Sequence, residues 1–330
     1  MSILQGREPA AIRLAAERLA AGELVALPTE TVYGLGARAD DPAAVARIFA
    51  AKGRPSDHPL IVHVPDVASA QAFAASWPAS AQRLTHAFWP GPVTVIVPRR
   101  AGLAEAAAGG QDSIGLRCPA HPVALAVLKA AAALGVPGVA APSANGFGRV
   151  SPTSAAHVAG EFGDGLLVLD GGDCEVGIES TIVDCTRARP VLLRPGRLTR
   201  AELEAVLGEP LLAPDAAAPR ASGTLEAHYA PRAKVRVMDA AQLQAALQLL
   251  GAGEPQGRPL AAVYSRTVRP ADRRMPYRAM PQDAAAAAHE LFAALRALDA
   301  LGVPLIWIET PPADAAWEGV RDRLQRAAAA

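Results

Sequence analysis

A lysine and an arginine stand two residues apart in the segment AKGRPSDHPLIVHV, which starts at Ala51. Lysine is rare in this chain, since 29 of its 32 basic residues are arginine, so the lysine at position 52 is informative. A compact ammonium beside a guanidinium can clamp phosphate oxygens, where nucleotidyl transfer needs fixed positive charge. Alternatively, Lys52 and Arg54 are solvated charges that complement the dipole at a helix end.

The segment PTETVYGLG, residues 28–36, places small polar and flexible residues directly after an apolar run. Thr29 and Thr31 offer hydroxyl groups at this point, and Gly34 and Gly36 would let the backbone approach a ligand closely. The α/β proteins tend to bind ligands at the C-terminal ends of strands, which favours a binding site here. The alternative is an ordinary glycine turn.

Arg117 lies within the apolar segment SIGLRCP, which starts at Ser113. An unpaired guanidinium in a buried strand is costly, so Arg117 needs a carboxylate that comes either from the protein or from a ligand. His58 and His63 are five residues apart, and His63 lies inside an apolar run. No cysteine or carboxylate cluster accompanies them, which disfavours a metal site and favours a core position for His63.

A long loop, APSANGFGRVSPT at residues 141–153, also combines small polar groups with glycines. Ser143, Asn145 and Ser151 give it hydroxyl and amide groups, and its backbone is flexible. Such a loop can wrap a phosphate or a ribose, although the same composition is found in loops without function.

Two further segments bring polar side chains to strand ends. GIESTIVD places Ser180 and Thr181 at the entrance of a predicted strand, and LLRPGR supplies Arg194 and Arg197 after another. Each of these signals is weak alone. Their occurrence together, in this order over about 170 residues, is a strong indication of one site.

The predicted elements of the first part of the chain indicate a mixed sheet, because strands outnumber helices and some follow one another directly. Apolar periodicity and capping residues predict helices at 9–21, 40–53, 66–76, 79–88, 121–134, 153–162 and 200–207. Strands are predicted at 23–28, 60–64, 92–98, 113–118, 136–141, 166–170, 180–185 and 191–194.

The composition changes at residues 208–233, which are rich in proline, alanine and glycine and are predicted to be a linker. The pattern beyond it predicts a small α/β domain with a parallel sheet, and no GxGxxG or GxxxxGK[ST] motif supports a nucleotide site there. Its predicted strands are 235–238, 260–265 and 304–309, and its predicted helices are 240–251, 282–300 and 313–326.

Composition limits the classes of partner. The chain has 330 residues, which favours two domains, and its 32 basic and 32 acidic residues give zero net charge. That balance argues against a broad nucleic-acid surface or a polybasic membrane patch. Three cysteines without a CxxC pair, no secretory leader and no long apolar run predict a cytoplasmic protein that does not engage a membrane.

Seven segments, six of those above and SGTLEAHYAP at residues 222–231 of the predicted linker, together resemble the two-domain threonylcarbamoyl-AMP synthase family. They are PTETVYGLG, KGRPSDHPLIVHV, GLRCP, APSANGFGRVSPT, GIESTIVD, LLRPGR and SGTLEAHYAP, and the KxR and SxN motifs of the family are both complete. The resemblance implies a YrdC-like catalytic domain at 1–207, an α/β fold built on a twisted mixed β-sheet with flanking helices. It also implies a linker and active-site lid at 208–233 and a small Rossmann-like α/β domain at 234–330.

The resemblance implies an enzyme that makes threonylcarbamoyl-AMP and pyrophosphate from L-threonine, bicarbonate and ATP, with Mg²⁺ on the ATP phosphates and no metal held by protein residues. The product would serve the modification of adenosine 37 in tRNA through a separate threonylcarbamoyl transferase complex. A weak direct contact with tRNA stays open.

The resemblance also implies roles for fifteen residues, with Lys52 and Arg54 as the catalytic pair. The implied ATP ligands are Lys52, Arg54, His58, Ser113, Ser143, Asn145, Ser151, Arg194, His228 and Tyr229. The implied lining of the threonine pocket is Thr31, His63, Arg117, Ala141 and Ser180.

The linker then becomes a candidate lid, because a carbamate and a mixed anhydride hydrolyse in open water. Two other functions are weighed against the synthase. A double-stranded RNA-binding module is disfavoured by the zero net charge and by the lack of aromatic residues near the basic loops. A carbamoyltransferase that forms carbamoyl-adenylate would normally also carry an acylphosphatase domain and zinc-finger cysteine pairs, which are missing.

Overall fold

The computed structural model describes residues 2–163, 165–251 and 259–330. Contacts divide the chain into two compact units. The first consists of Met1–Phe147 and Ser151–Thr224, and the second of Gly148–Val150 and Leu225–Ala330. Residues 208–224 of the predicted linker therefore belong to the first unit, and residues 225–233 belong to the second.

The first unit alternates helices and strands along most of its length. Its helices among the described residues are α1 (Pro9–Ala20), α2 (Pro42–Lys52), α3 (Val67–Phe73), α4 (Ala79–Phe88), α5 (Pro122–Ala133), α6 (Ala155–Ala159) and α7 (Arg200–Leu207). Its strands are β1 (Ser2–Gln5), β2 (Val25–Leu27), β3 (Gly34–Arg38), β4 (Ile61–His63), β5 (Val93–Pro98), β6 (Ser113–Arg117), β7 (Val139–Ala140), β8 (Leu167–Asp170), β9 (Thr181–Asp184) and β10 (Val191–Arg194).

These strands form one mixed sheet in the order β1-β8-β2-β3-β7-β4-β6-β5-β9-β10. Parallel pairs join β1 to β8, β8 to β2, β4 to β6 and β5 to β9, and the remaining neighbours are antiparallel. The predicted mixed α/β sheet is therefore confirmed. Strand β2 is covered on both faces, since Val25 and Leu27 join the core cluster of α1 and α5 while Ala26 joins that of α2.

Two strands of this sheet were not predicted from the sequence. Strand β1 is an edge strand that pairs with β8. Strand β3 contains Gly34 and Gly36, so the interpretation of this segment as an ordinary glycine turn is wrong. A Cβ atom on Gly36 would lie 2.9 Å from Cγ1 of Val139, so the glycine permits close packing against the neighbouring strand.

Helix α2 begins and ends at the residues that the local sequence signals predict. Asp41 caps its first turn by accepting a hydrogen bond from the N–H of Ala43 at 2.8 Å. Gly53 terminates it in the left-handed conformation, with a φ of 61°, which glycine adopts at little cost. The chain therefore turns sharply just after Lys52, at the start of residues 52–64, which are called the KGR segment below.

The second unit contains a smaller sheet, and all of its strand pairs are parallel, in the order β11-β14-β12-β13. Its elements are β11 (Lys234–Met238), α8 (Ala240–Gly251), β12 (Ala261–Ser265), β13 (Tyr277–Ala279), α9 (Ala284–Asp299), β14 (Leu305–Glu309), a 3₁₀ turn (Ala315–Trp317) and α10 (Glu318–Ala328). The predicted parallel sheet is present, with the short strand β13 in addition. Within the described part of the chain, no helix is long and apolar enough to cross a membrane.

Candidate active site

Lys52 joins the KGR segment to the long loop that follows β7. Its side chain is buried, and its Nζ donates hydrogen bonds to the backbone oxygen of Ser143 at 2.5 Å and to that of Asn145. Burial, and then the charge of Arg54, lower the pKa of Lys52 to about 7, while Glu161 and Glu179 act in the opposite direction. The ammonium is thus held by neutral oxygens and has no carboxylate in direct contact among the described residues.

Phe147 organises the rest of the KGR segment, although the sequence did not single it out. Its N–H donates to the backbone oxygen of Lys52 at 2.8 Å. The guanidinium of Arg54 lies 5.8 Å from the centre of its ring, and the ring of His58 meets it edge-on at 5.3 Å. Burial and the charge of Arg54 lower the pKa of His58, which favours its neutral form.

Arg194 gathers polar groups from two distant segments. Its Nε donates to the backbone oxygen of Ser180 at 3.0 Å, its Nη2 to the hydroxyl of Ser180 at 3.2 Å, and its Nη1 to the backbone oxygen of Ser222 at 2.7 Å. Thr94 on β5 completes the group through a hydroxyl contact of 2.8 Å with Ser180. Ser180, expected in the threonine pocket, therefore contacts the arginine that was expected to bind ATP.

A small pocket lies beside these groups. Thr94, Ser113 and Ser222 are among the residues that line it. Nη2 of Arg54 lies 3.5 Å from the hydroxyl of Ser222. The backbone oxygen of Ser222 accepts the hydrogen bond from Arg194. Two of the implied ATP ligands, Arg54 and Arg194, thus contact one residue of the predicted linker, and Ser113 lines the same pocket as that residue.

The predicted linker is hydrogen-bonded to the rest of the first unit at Arg220, just before the residues that line this pocket. The backbone of Arg220 exchanges two hydrogen bonds with the side-chain amide of Gln111, at 2.8 and 3.1 Å. The guanidinium of Arg220 binds Asp57 of the KGR segment at 2.7 Å. These contacts set the position of Ala221 and Ser222, which form part of the pocket wall.

Arg117 has an internal carboxylate partner, which is one of the two alternatives that the sequence left open. Its Nη2 donates to Oε1 of Glu30 at 2.6 Å, its Nη1 to the hydroxyl of Thr31 at 2.9 Å, and its Nε to the backbone oxygen of Gly91 at 3.3 Å. Sequence reasoning missed Glu30, even though it is the charged residue between the two threonines of PTET.

His63 on β4 lies opposite Arg117 on β6 in the sheet register. Burial, and then the charge of Arg117, lower the pKa of His63 to about 3, so its ring is neutral at physiological pH. The implied threonine residues Thr31, His63 and Arg117 are therefore neighbours.

The loop after β7 carries residues of both implied sets, one for threonine and three for ATP. They are Ala141 for threonine and Ser143, Asn145 and Ser151 for ATP. Ala141 donates its N–H to the backbone oxygen of Ile61 at 3.0 Å, and Ala144 donates to that of Tyr33 at 2.8 Å. The SxN motif is thereby held against Tyr33, which follows Thr31 by two residues in the chain. The hydroxyl of Ser151 binds the carboxylate of Glu179, so this implied ATP ligand is engaged by an acidic side chain.

His228 and Tyr229 belong to the second unit. Tyr229 is buried there, with its ring 5.4 Å from that of Phe292 and 5.4 Å from the guanidinium of Arg323. The ring of His228 meets that of Tyr229 at 4.2 Å. Their implied contact with the nucleotide stays a prediction.

Two family models match the chain over most of its length. The family described as telomere recombination matches residues 17–196, and the family described as the C-terminal domain of threonylcarbamoyl-AMP synthase matches residues 198–329. A Pyrococcus abyssi protein named threonylcarbamoyl-AMP synthase is 45% identical over 236 residues, which are 69% of this chain and 68% of that protein.

This chain belongs to the threonylcarbamoyl-AMP synthase family. A Bacillus subtilis member of the same name is 42% identical over 235 residues, 69% of this chain and 66% of its own length. The resemblance inferred from the seven motifs is therefore confirmed.

Solved structures of Pyrococcus abyssi Sua5 support the same assignment of fold. The structure complexed with L-threonine gives a TM-score of 0.87 at 36% identity and covers 99% of this chain and 98% of that one. A variant in which an adjacent histidine and tyrosine are both alanine gives 0.88 at 36% identity, with 99% and 96% covered. The fold class expected for a threonylcarbamoyl-AMP synthase is confirmed.

Proposed function

We propose that this chain makes threonylcarbamoyl-AMP and pyrophosphate from L-threonine, bicarbonate and ATP. The observation that carries the proposal is the buried ammonium of Lys52, which joins the KxR motif to the SxN loop through the carbonyl groups of Ser143 and Asn145. Arg117, beside Thr31 and His63, supplies a second cationic group of the type that recognises a carboxylate.

The chemistry has two steps, and neither needs a covalent enzyme intermediate. The amine of threonine adds to bicarbonate, which gives a carbamate and releases water and one proton when the amine starts as an ammonium. A carbamate oxygen then attacks the α-phosphorus, and pyrophosphate leaves. Because the carbamate is short-lived, the enzyme must hold all three reactants together, so catalysis comes from proximity and from charge stabilisation.

The cationic residues have distinct roles in this proposal. Lys52 and Arg54 bind the phosphates and the bicarbonate-derived group, and Arg194 completes the phosphate site. His58, Ser113, Ser143, Asn145 and Ser151 contact the nucleotide, whereas Arg117 takes the threonine carboxylate. Thr31, His63, Ala141 and Ser180 line the threonine pocket.

Mg²⁺ enters the proposal with ATP and not as a resident ion. Among the described residues, no group of three or more histidine, cysteine or acidic side chains is arranged to hold a metal ion. Lysine and arginine side chains do not ligate Mg²⁺, so in this proposal oxygens of the triphosphate hold the ion. Such an ion would neutralise phosphate charge during the displacement.

The segment SGTLEAHYAP, residues 222–231, is proposed as a lid over the nucleotide. Its first residue, Ser222, already contacts both Arg54 and Arg194. In this proposal His228 and Tyr229 reach the nucleotide when the lid closes. Deletion of residues 222–231 is expected to abolish synthesis while the first unit stays folded, as judged by circular dichroism; full activity of the deletion variant would refute the lid.

The product is a mixed anhydride, so a transferase must consume it soon after release. We assign that step to the separate tRNA threonylcarbamoyl transferase complex, in the cytoplasm. If the chain also contacts tRNA directly, its affinity for tRNA will fall steeply with salt.

The deciding experiment measures pyrophosphate release with L-threonine, bicarbonate and ATP, and again with each one omitted. Release that requires both threonine and bicarbonate is the expected result. Release that does not depend on threonine would reject the synthase proposal.

A further inference from the structure

We infer that Glu30 forms the subsite for the α-ammonium group of the amino-acid substrate, beside the arginine that takes its carboxylate. The inference rests on the proposed function, which places the threonine carboxylate on Arg117. It adds a specificity-determining residue that the motif analysis did not contain.

Among the described residues, only one of the two Glu30 carboxylate oxygens accepts a hydrogen bond. The side chain is 7% exposed, and its Oε1 accepts a hydrogen bond from Nη2 of Arg117 at 2.6 Å. Its Oε2 is also buried, and the described residues provide no hydrogen-bond partner for it. A buried charged oxygen without a donor is destabilising, so it indicates a position where a donor is expected to bind.

The second observation is that the backbone holds Glu30 in place from both sides. Its carbonyl oxygen accepts the N–H of Val176 at 2.7 Å. The hydroxyl of Thr29 accepts the N–H groups of Thr31 and Val32, each at 3.2 Å, and donates to the backbone oxygen of Val32 at 2.6 Å. The turn that presents Glu30 is therefore braced by hydrogen bonds before any ligand arrives.

The third observation concerns the hydrogen bonds that Arg117 still has available. A guanidinium has five N–H groups, and three of them bind Gly91, Thr31 and Glu30. Two remain, one on each terminal nitrogen, which is the number that a carboxylate takes in a bidentate pair. Arg117 thus has two further donors for a carboxylate while it keeps its bond to Glu30.

The charges of this pair match those of a free amino acid. Arg117 and Glu30 are together neutral, and an α-amino acid at neutral pH carries one carboxylate and one ammonium. Placing the carboxylate on Arg117 and the ammonium near Oε2 of Glu30 gives each charge an opposite partner. A carboxylic acid without the amine would leave Oε2 unsatisfied and would be bound more weakly.

The test compares two ligands that differ only in the amine. Isothermal titration calorimetry of the full chain measures the Kd of L-threonine and that of (R)-3-hydroxybutanoate, which is threonine without its amino group. The wild type is expected to bind threonine at least about tenfold more tightly, as a charge-assisted hydrogen bond would give. Glu30→Gln keeps an oxygen for Arg117 but removes the charge, so the preference is expected to fall to about twofold or less.

Glu309→Gln is the matched control, because it neutralises a buried glutamate of the second unit and is expected to leave the preference unchanged. Equal Kd values for the two ligands on the wild type would overturn the inference, whether or not the Glu30 variant folds. Equal weakening of both ligands by Glu30→Gln would also overturn it, because Glu30 would then act only through Arg117.

Failure of the inference and failure of the proposed function give different results. Threonine-dependent pyrophosphate release without any preference for the amine would overturn only the subsite. No threonine binding together with threonine-independent release would overturn the proposed function, and the subsite with it.

Discussion

Two buried glutamates, one in each unit, differ in how completely their carboxylates are satisfied. Glu309, at the end of β14, accepts the N–H groups of Arg266 and Thr267 at 2.7 Å each and that of Val268 at 3.4 Å through Oε2, and the hydroxyl of Thr267 at 2.6 Å through Oε1. Glu30 has the Arg117 contact on one oxygen and, among the described residues, no hydrogen bond on the other.

The difference separates a structural carboxylate from one that is available to a ligand. Glu309 fills a nest of backbone N–H groups after β12, in a position where other α/β proteins bind anions. At the C-terminal ends of β12 and β14, the second unit thus satisfies its backbone N–H groups with its own carboxylate. This agrees with the absence of a phosphate-binding motif from its sequence. In the first unit, the described residues leave one oxygen of the buried Glu30 carboxylate without a hydrogen bond.

The largest expected effect comes from Lys52→Ala. Loss of the buried ammonium removes a fixed charge at the proposed phosphate site, so kcat is expected to fall about a thousandfold. Pyrophosphate release measures this effect, and thermal unfolding checks that the variant is folded.

Lys129→Ala is the matched control, because Lys129 is an exposed lysine of the same unit, and its activity is expected to equal that of the wild type. If Lys52→Ala keeps more than a tenth of the wild-type kcat, Lys52 is not a catalytic residue.

Arg117→Ala is expected to lower the free energy of unfolding by about 3 kcal/mol, because it leaves the buried charge of Glu30 without its partner. Urea denaturation of the full chain measures the change. Arg83→Ala provides the contrast, since Arg83 and Glu209 form an exposed pair at 3.3 Å and its loss is expected to cost less than about 1 kcal/mol. Equal losses for the two variants would show that the Arg117–Glu30 pair contributes no more than a surface salt bridge.

Local signals were sufficient for the fold class and for several motif positions. The Asp41 cap marks the start of α2 and the turn at Gly53 marks its end, which together set the place of Lys52. Strand β3 was missed because its glycines are poor strand formers, and only the neighbouring strands β2 and β7 make it part of a sheet. Edge strand β1 likewise depends on pairing with β8, far along the chain.

The site shows the same limit of local information. The apolar surroundings of Arg117 predicted that it needs a carboxylate, but its partner lies 87 residues away, and no spacing rule connects positions 30 and 117. Ser222 was classed within a linker, since the contacts to Arg54 and Arg194 that give it a role are tertiary. Sequence patterns therefore indicated which side chains need partners, and the fold supplied the partners.

Glu309→Ala tests the structural half of the comparison. Removal of an acceptor that serves three backbone N–H groups and one hydroxyl is expected to cost about 2 kcal/mol of stability in the second unit. Burial acts to raise the pKa of Glu309, but the hydrogen bonds from Thr267, Arg266 and Val268 outweigh it and lower the pKa below its ordinary value of 4.5. The stabilisation is therefore fully present above pH 4.5 and is lost as the pH falls through the lowered pKa.

Guanidinium denaturation at pH 7 and at pH 3 measures this contribution. The difference between wild type and Glu309→Ala is expected to shrink at pH 3, while threonine affinity at pH 7 stays unchanged. A threonine affinity that falls with Glu309→Ala would contradict the assignment of Glu309 to structure alone.

The smallest expected effect is a pH dependence of ATP binding. Lys52 has a pKa of about 7 in the ligand-free protein, so its charged fraction falls about fivefold between pH 7 and pH 8. Because phosphate binding requires the charged form, the Kd for ATP is expected to rise about fivefold over this interval, with one proton taken up on binding at pH 8. Folding has the opposite dependence: the unfolded chain keeps a proton on this lysine up to about pH 10.4, so the free energy of unfolding rises with pH between about 7 and 10.4.

Calorimetry in two buffers of different ionisation enthalpy measures both the Kd and the proton uptake. Lys52→Ala lacks the titrating group, so its weaker ATP binding should show neither the fivefold change nor the proton uptake. A wild-type Kd that stays constant between pH 7 and pH 8 would mean that Lys52 is already fully charged in the ligand-free site. Its burial among carbonyl oxygens would then cost less than the lowered pKa implies.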